Sequence, residues 1–211
     1  MAKMPNTPSN GWGVVVKRTV DVCGAAVGLV FLSPLFFVIA VMIKLGSRGP
    51  VFVGLDRISE GKLFRIWKFR SMIDNADAFK VKLRRHNNIN GPFFKMHNDP
   101  RVTRIGRVLR AWCLDELPQL WNVLTGEMSL VGPRPNEPQA VAQYGRNGRR
   151  LIMAKGGMTG TVQLAALLND APLPYEEMMR LDAQYLKHWS LFLDAKIIVQ
   201  TLCALTYRRG R

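Results

Sequence analysis

The chain carries one apolar run that constrains it more than any other feature. Val22 to Ile43 is 22 residues without a charge, bounded by Asp21 and Lys44. As one straight helix it would be roughly 33 Å long, enough to span a bilayer. Ser33-Pro34 sits at its middle, with 11 residues before the pair and 9 after. Proline removes a backbone hydrogen bond and clashes with the preceding turn, and Ser33 can bond back to a carbonyl, so the helix should bend there. Both flanks are basic: Lys3, Lys17 and Arg18 before the run, Lys44, Arg48, Arg57 and Lys62 after it. A spanning helix would leave one basic flank outside, against the positive-inside rule. A helix that enters, bends at Ser33-Pro34 and leaves on the same face satisfies both. The run is too long for a signal-peptide h-region and is followed by no small-x-small cleavage site. Gly24 and Gly28 form a G-x-x-x-G that could pack helices together.

Charge and apolarity act together. The 211 residues hold 30 Lys+Arg against 15 Asp+Glu, a formal net charge of +15, yet 48% of them are hydrophobic. That apolar fraction argues against disorder. Between Arg57 and Trp112 there are 14 Lys+Arg and 4 Asp+Glu, so this half attracts a polyanion or a membrane-bound anionic substrate. The three Cys (Cys23, Cys113, Cys203) and three His (His86, His97, His188) are scattered, which argues against a disulfide scaffold and against a Cys- or His-based metal site.

Residues 1–11 are expected to be mobile. Val51–Val53 and Leu63–Phe69 read as strands of a hairpin joined through Ser59–Lys62. A polar helix is expected over 72–86 and a loop over 87–100. Residues 101–112 predict a basic amphipathic helix, with Val102, Ile105, Val108, Leu109 and Trp112 on one face and Arg101, Arg104, Arg107 and Arg110 on another. That arginine face is either a solvated surface or a seat for headgroup phosphates. Helices are expected from Tyr175 to Lys187 and from about Ser190 to Tyr207. The last carries Asp194 and Lys196 and so should be a core or interfacial helix.

Two adjacent acidic pairs occur, Asp115-Glu116 and Glu176-Glu177. The second opens a helix, where the dipole favours acids. Asp115 is expected to cap a helix beginning at Glu116, with Pro118 tolerated in its first turn. A helix N-terminus would lower the Asp115 pKa and attract phosphate, which suits a nucleophile or metal ligand; a simple capping acid is the alternative. Met128 to Pro135 ends with Arg134 between two prolines, a guanidinium on a stiff backbone suited to phosphate.

Lys17-Arg18…Asp21, Ser33-Pro34, Gly49-Pro50-Val51-Phe52, Lys68-Phe69-Arg70-Ser71-Met72, Asp99 to Gly106, Leu114 to Val123 and Met128 to Pro135 stand in order. Together they closely resemble the bacterial sugar transferase family, the monotopic phosphoglycosyl transferases, over about residues 14–207. Phe93-Phe94-Lys95-Met96 and Leu181-Asp182…Tyr185…Trp189-Ser190-Leu191…Asp194 resemble its exopolysaccharide and O-antigen initiating branch.

The resemblance implies an α/β, mostly helical fold: a flexible N-terminus at 1–13, a re-entrant membrane helix-break-helix at 14–46, and a small cytoplasmic catalytic domain at 47–211 with interfacial amphipathic helices. It implies transfer of a sugar-1-phosphate from a UDP-sugar to undecaprenyl phosphate, with release of UMP and use of Mg²⁺, at the cytoplasmic face of the bacterial inner membrane. Asp115 would attack the phosphate that carries the sugar and hold it covalently, and Glu116 would act at the metal. Lys68, Arg70, Arg104 and Arg134 are the expected substrate and phosphate ligands. Ser33 and Pro34 match the break in the membrane helix. Membrane lipids are expected partners, a homodimer is allowed, and no nucleic acid is expected.

The chain departs from the family pattern at Gly54-Leu55-Asp56, Ser59 and Cys113. At 156–167 Ala165-Ala166-Leu167 replaces the usual Ser-Gly-Arg, so the sugar is not assigned. A membrane-tethered nucleic-acid binder would explain the charge but not Asp115-Glu116 or the Pro-Arg-Pro turn, and the chain has no nucleic-acid motif. An inactive assembly scaffold is argued against by Asp115, Glu116 and Arg134, though the altered loop leaves it open.

Overall fold

A computed structural model describes residues 11–76, 78–79, 96, 99–141, 151–169 and 173–207. The expected mobile residues 1–10, most of the expected helix at 72–86, most of the loop at 87–100 and Phe93-Phe94-Lys95 lie outside the described residues. Where 72–86 is described it starts as extended chain: Met72 bridges Val102, and the Ile73 N–H donates to Arg101 O at 2.8 Å.

The apolar run forms two helices, α1 (Gly11–Phe31) and α2 (Ser33–Gly46), bent by 59° at the break between them. Pro34 lies in the first turn of α2, where its missing N–H costs nothing, and Ser33 Oγ donates back to Val30 O at 2.8 Å. Among the described residues no single helix is long and apolar enough to cross a membrane; the bent pair together is.

The start of α1 is packed into the rest of the molecule. Lys17 Nζ donates to Val131 O (3.0 Å) and Asp194 Oδ2 (2.6 Å). Arg18 donates to Val123 O (2.6 Å) and Leu124 O (2.8 Å). Asp21 is buried and accepts from Ser129 Oγ (3.0 Å) and the Leu130 N–H (2.9 Å). Lys17 and Arg18, read from the sequence as part of the basic flank before the apolar run, are therefore spent inside the chain. The G-x-x-x-G has an internal partner too: a Cβ on Gly24 would come within 2.7 Å of Leu130, and one on Gly28 within 3.0 Å of Leu120.

Strands β1 (Phe52–Ser59) and β2 (Lys62–Phe69) form the antiparallel hairpin, in register from Phe52↔Phe69 to Ser59↔Lys62. Its two-residue turn is Glu60-Gly61, both at positive φ (52° and 72°), the primed geometry that matches strand twist. β1 runs well past the Val51–Val53 expected from the sequence. After β2, the buried Arg70 donates to Ser47 O (2.8 Å), Ser47 Oγ (3.0 Å) and Arg48 O, which pins the chain leaving α2.

Helix α3 (Arg104–Ala111) is shorter than expected. Thr103 caps it, accepting from the Gly106 N–H at 2.9 Å. Arg101 precedes the helix and is buried against Asp99, donating to its carboxylate through Nε (2.9 Å) and a terminal nitrogen (2.6 Å). Arg101 is thus removed from the predicted arginine face. Of the predicted apolar face, Leu109 is buried but Val108 and Trp112 are exposed.

Next come a single 3₁₀ turn (Leu114–Glu116), α4 (Gln119–Thr125), β3 (Ser129–Val131), α5 (Pro138–Val141), β4 (Gly157–Thr159), α6 (Thr161–Asn169), α7 (Tyr175–Lys187) and α8 (Leu191–Tyr207). β3 and β4 pair in parallel. The arrangement is α/β and mostly helical, as expected. Ala25, Ile66, Leu120, Val123 and Met128 form one core, with α1, β2 and α4 closing on it. Ile39, Ile43, Phe69 and Leu109 form a second, which seats α2 on the hairpin and α3. Val131, Tyr185 and Ile197 join β3 to α7 and α8. Asn122 is fully buried and sews α4 to β2: its Oδ1 accepts the Trp67 N–H (3.0 Å) and its Nδ2 donates to Arg65 O (2.8 Å). α4 therefore cannot slide along the strand that carries Lys68.

Candidate active site

Cys113 ends α3 in the left-handed region, at φ 53°, and turns the chain back on itself. The 3₁₀ turn follows, closed by N–H bonds from Glu116 to Cys113 O and from Leu117 to Leu114 O, each 3.2 Å. Asp115 lies inside this turn. It is not the N-cap of a helix starting at Glu116; α4 begins at Gln119 with no side-chain cap. The local N-terminus expected to keep Asp115 ionised is therefore absent.

Burial dominates instead. It pushes the Asp115 carboxyl above the ordinary carboxylate range; Lys68 and Arg110 oppose it, while Glu116 adds to it. Glu116 goes the other way. Burial works against its charge, but Lys68, Arg134 and Arg57 together outweigh that and hold it below its usual value. Lys68, near the end of β2, forms the ion pair with Glu116 Oε1. Two neighbouring carboxyls thus differ in proton affinity because one is inside the cationic cluster and the other is mainly desolvated.

The same cluster includes residues the sequence reading did not assign to it. Arg57 on β1 pairs with Glu137 at 3.3 Å; burial lowers its pKa, and the neighbouring Arg134 lowers it further. Arg110 approaches Asp115 from the last turn of α3, with its Nε donating to Ser71 Oγ at 2.8 Å. A lone arginine in an alternating strand gives no local signal, and Arg110 was legible only as part of a basic face.

Of the expected phosphate ligands, the fold gathers Lys68 and Arg134 around Asp115 and Glu116. Arg70 and Arg104 stand elsewhere: with Ile43, Ser47 and Thr103 they line a cavity of about 550 Å³ between the end of α2 and the start of α3, which none of those four residues borders. Arg70 also spends its terminal nitrogens on the Ser47-Arg48 turn.

Among the described residues no group of three His, Cys, Asp or Glu side chains could hold a metal. Magnesium is commonly held by one or two carboxylates, several waters and substrate phosphates. An ionised Glu116 next to Asp115, facing cations that suit phosphate, fits that donor set.

Residues 12–208 match the bacterial sugar transferase family. The chain belongs to this family. It is 38% identical over 206 residues to the exopolysaccharide production protein ExoY of Rhizobium meliloti, covering 94% of this chain and 88% of that protein. It is 37% identical over 190 residues to the galactosyl transferase CpsE of Streptococcus agalactiae, covering 90% of this chain but 42% of CpsE. It is 38% identical over 200 residues to the undecaprenyl-phosphate galactose phosphotransferase of Salmonella typhimurium, covering 92% of this chain and 41% of that one. The chain thus spans nearly all of the shorter family member and about two fifths of the longer ones.

Proposed function

We propose that this family member moves a sugar-1-phosphate from a UDP-sugar to undecaprenyl phosphate, releasing UMP, as an initiating step of exopolysaccharide or O-antigen type glycan assembly. The observation that carries the reading is the Asp115-Glu116 pair, Asp115 buried and Glu116 half-buried, facing Lys68, Arg110, Arg57 and Arg134. The names of the relatives support the substrate class.

In this reading an Asp115 oxygen attacks the phosphorus that bears the sugar. The new O–P bond forms as the bond from that phosphorus to the bridging oxygen breaks, and UMP leaves with the electron pair. An oxygen of undecaprenyl phosphate then attacks the same phosphorus and frees the Asp115 carboxylate. Burial makes Asp115 the more basic carboxylate of the pair, and Lys68 and Arg110 keep its anion accessible. Arg134 and Arg57 offset the phosphate charge as it shifts toward the leaving oxygen. Glu116 and the phosphates would hold Mg²⁺, which supplies further charge neutralisation when bound. The altered loop packs on the Arg134 turn, with the Gly157 N–H donating to Pro133 O at 2.8 Å, so residues 156–167 are the place to look for sugar choice. UMP release from a panel of UDP-sugars, with undecaprenyl phosphate and Mg²⁺ in membranes, tests the reading. Release from one or more supports it, and release from none rejects it.

The bent pair α1–α2 is proposed to seat in the cytoplasmic leaflet of the inner membrane and return to the same side. Phe31, Phe37 and Leu45 are more than two thirds exposed, and Val108, Trp112 and Trp121 add exposed apolar surface. Lys44 and the chain after it supply the basic flank, since Lys17 and Arg18 are used internally. A variant with the native cysteines replaced and with Gly11→Cys and Lys62→Cys added should label at both positions from the cytoplasmic side. Labelling of the two from opposite sides would establish a spanning helix.

A further inference from the structure

The turn that carries Arg134 is held from two sides by other parts of the chain. The Gly157 N–H donates to Pro133 O at 2.8 Å, and the Ile58 N–H donates to Asn136 O at 2.9 Å. The second bond is an isolated bridge from β1 to the residue after Pro135. Neither Pro133 nor Pro135 has an N–H to give, so the turn relies on donors from outside it. Gly156 lies directly on the turn: a Cβ there would come within 2.6 Å of Pro135 Cγ.

Ser59 joins the two holds. It follows Ile58 at the end of β1 and is 5% exposed. Its Oγ accepts the Gly156 N–H at 3.0 Å and donates to Glu127 O at 3.0 Å. Ile58 and Ser59 thus reach Asn136 and Gly156, while Gly156 and Gly157 reach Ser59 and Pro133, and these contacts close a ring that includes Arg134. Gly156 is buried, so its N–H needs a partner within the protein. Ser59 and the segment beginning at Gly156 both depart from the family pattern, and the structure bonds one to the other. The hairpin turn docks the preceding residues separately, through the Glu60 N–H to Ala154 O (3.1 Å) and the Gly61 N–H to Ile152 O (3.0 Å). Loss of the Ser59 hydroxyl would therefore free Gly156 without undocking 152–154.

We infer that Ser59 is a positioning residue for Arg134: its hydroxyl couples the end of β1 to Gly156 and so keeps the Pro133–Pro135 turn, with the guanidinium it carries, set for a substrate phosphate. This rests on the reading of Arg134 as a phosphate ligand. Ser59→Ala removes the hydroxyl and leaves the strand backbone as it is. Arg134→Lys keeps a charge on the turn but loses the two-pronged grip on phosphate.

Amide exchange at Gly156 should be at least about tenfold faster in Ser59→Ala than in the wild type, with exchange at Gly61 unchanged as the control. In the UMP-release assay, KM for the UDP-sugar should rise about fivefold in Ser59→Ala at nearly unchanged kcat, since binding is lost at the phosphate. In the Arg134→Lys background the same substitution should raise KM by less than about twofold, because the guanidinium it acts through is gone. A merely structural role would lower the active fraction, and so the apparent kcat, at unchanged KM and equally in both backgrounds. Unchanged KM in Ser59→Ala, or Gly156 exchange at the wild-type rate, would overturn the inference. If Arg134→Lys is inactive, the split between KM and kcat in Ser59→Ala decides. If Ser59→Ala does not fold, Ser59→Cys, which keeps the shape but bonds weakly, is read by the same measures. If the wild type releases UMP from no UDP-sugar, the reading of the whole site fails. The coupling is then judged by exchange alone, and wild-type exchange at Gly156 in the folded variant overturns it.

Discussion

Asp115→Asn is expected to fold normally and to lose turnover by about 10⁴-fold or more, the scale seen when a covalent nucleophile is removed. Asparagine has the same shape and can occupy the 3₁₀ turn, whose closing bonds are backbone to backbone. It also removes a buried charge, so folded stability should not fall. The loss should therefore sit in chemistry, and thermal unfolding of the variant should match or exceed that of the wild type. Mixing the wild type with its UDP-sugar and Mg²⁺, without acceptor, should add the mass of a sugar phosphate to the intact protein. The variant should gain none. An adduct of equal yield on Asp115→Asn would place the nucleophile elsewhere.

Gly106→Ala is expected to be strongly destabilising. A Cβ there would lie 1.8 Å from the backbone oxygen of Ser71 and 2.6 Å from its carbonyl carbon. Backbone cannot swing aside as a side chain can, so α3 must move off the segment that follows β2. A loss of about 3 kcal/mol, the upper end of the usual cost of overpacking, is equivalent to a melting temperature lower by roughly 6–12 °C in a domain of this size. Activity should fall as well, because Arg110 is anchored on Ser71 and the Asp115 turn hangs from the end of α3. Gly11→Ala is the control: nothing lies within 4 Å of a Cβ at that position. A Gly106→Ala protein that melts within 2 °C of wild type would rule out the close approach of α3 to Ser71, taking about 2–4 °C as the effect of 1 kcal/mol.

Much of this molecule is legible without its structure, wherever the signal acts within a few residues. Pro34 forces the break because its ring and missing N–H act on the preceding turn. The hairpin follows from two apolar runs around Glu60-Gly61, and α7 shows its start through Pro172 and Pro174 before it. Asp115-Glu116 and the Pro133-Arg134-Pro135 turn are visible as chemistry, since adjacent carboxyls and a proline-flanked guanidinium are local facts. The expected 101–112 helix shows the limit of such reasoning. Its periodicity is real, but Thr103 caps it late and Asp99 takes Arg101 out of it.

By itself the sequence determined the broken apolar helix, the hairpin and the last two helices, and it singled out Asp115-Glu116 as a candidate pair, because backbone sterics and side-chain chemistry do not depend on distant residues. Only the tertiary structure decided what those groups experience. Lys68 meets Glu116 across 48 residues and Lys17 meets Asp194 across 177, so ion pairing, burial and proton affinity are set by contacts that no local pattern encodes. Lys68 and Arg70 stand two residues apart and end in different places, one beside the carboxyl pair and one holding the turn after α2, because β2 ends between them. Asp115 gains its raised proton affinity in the same way, from being enclosed by the packed fold and not from a helix end next to it in the chain.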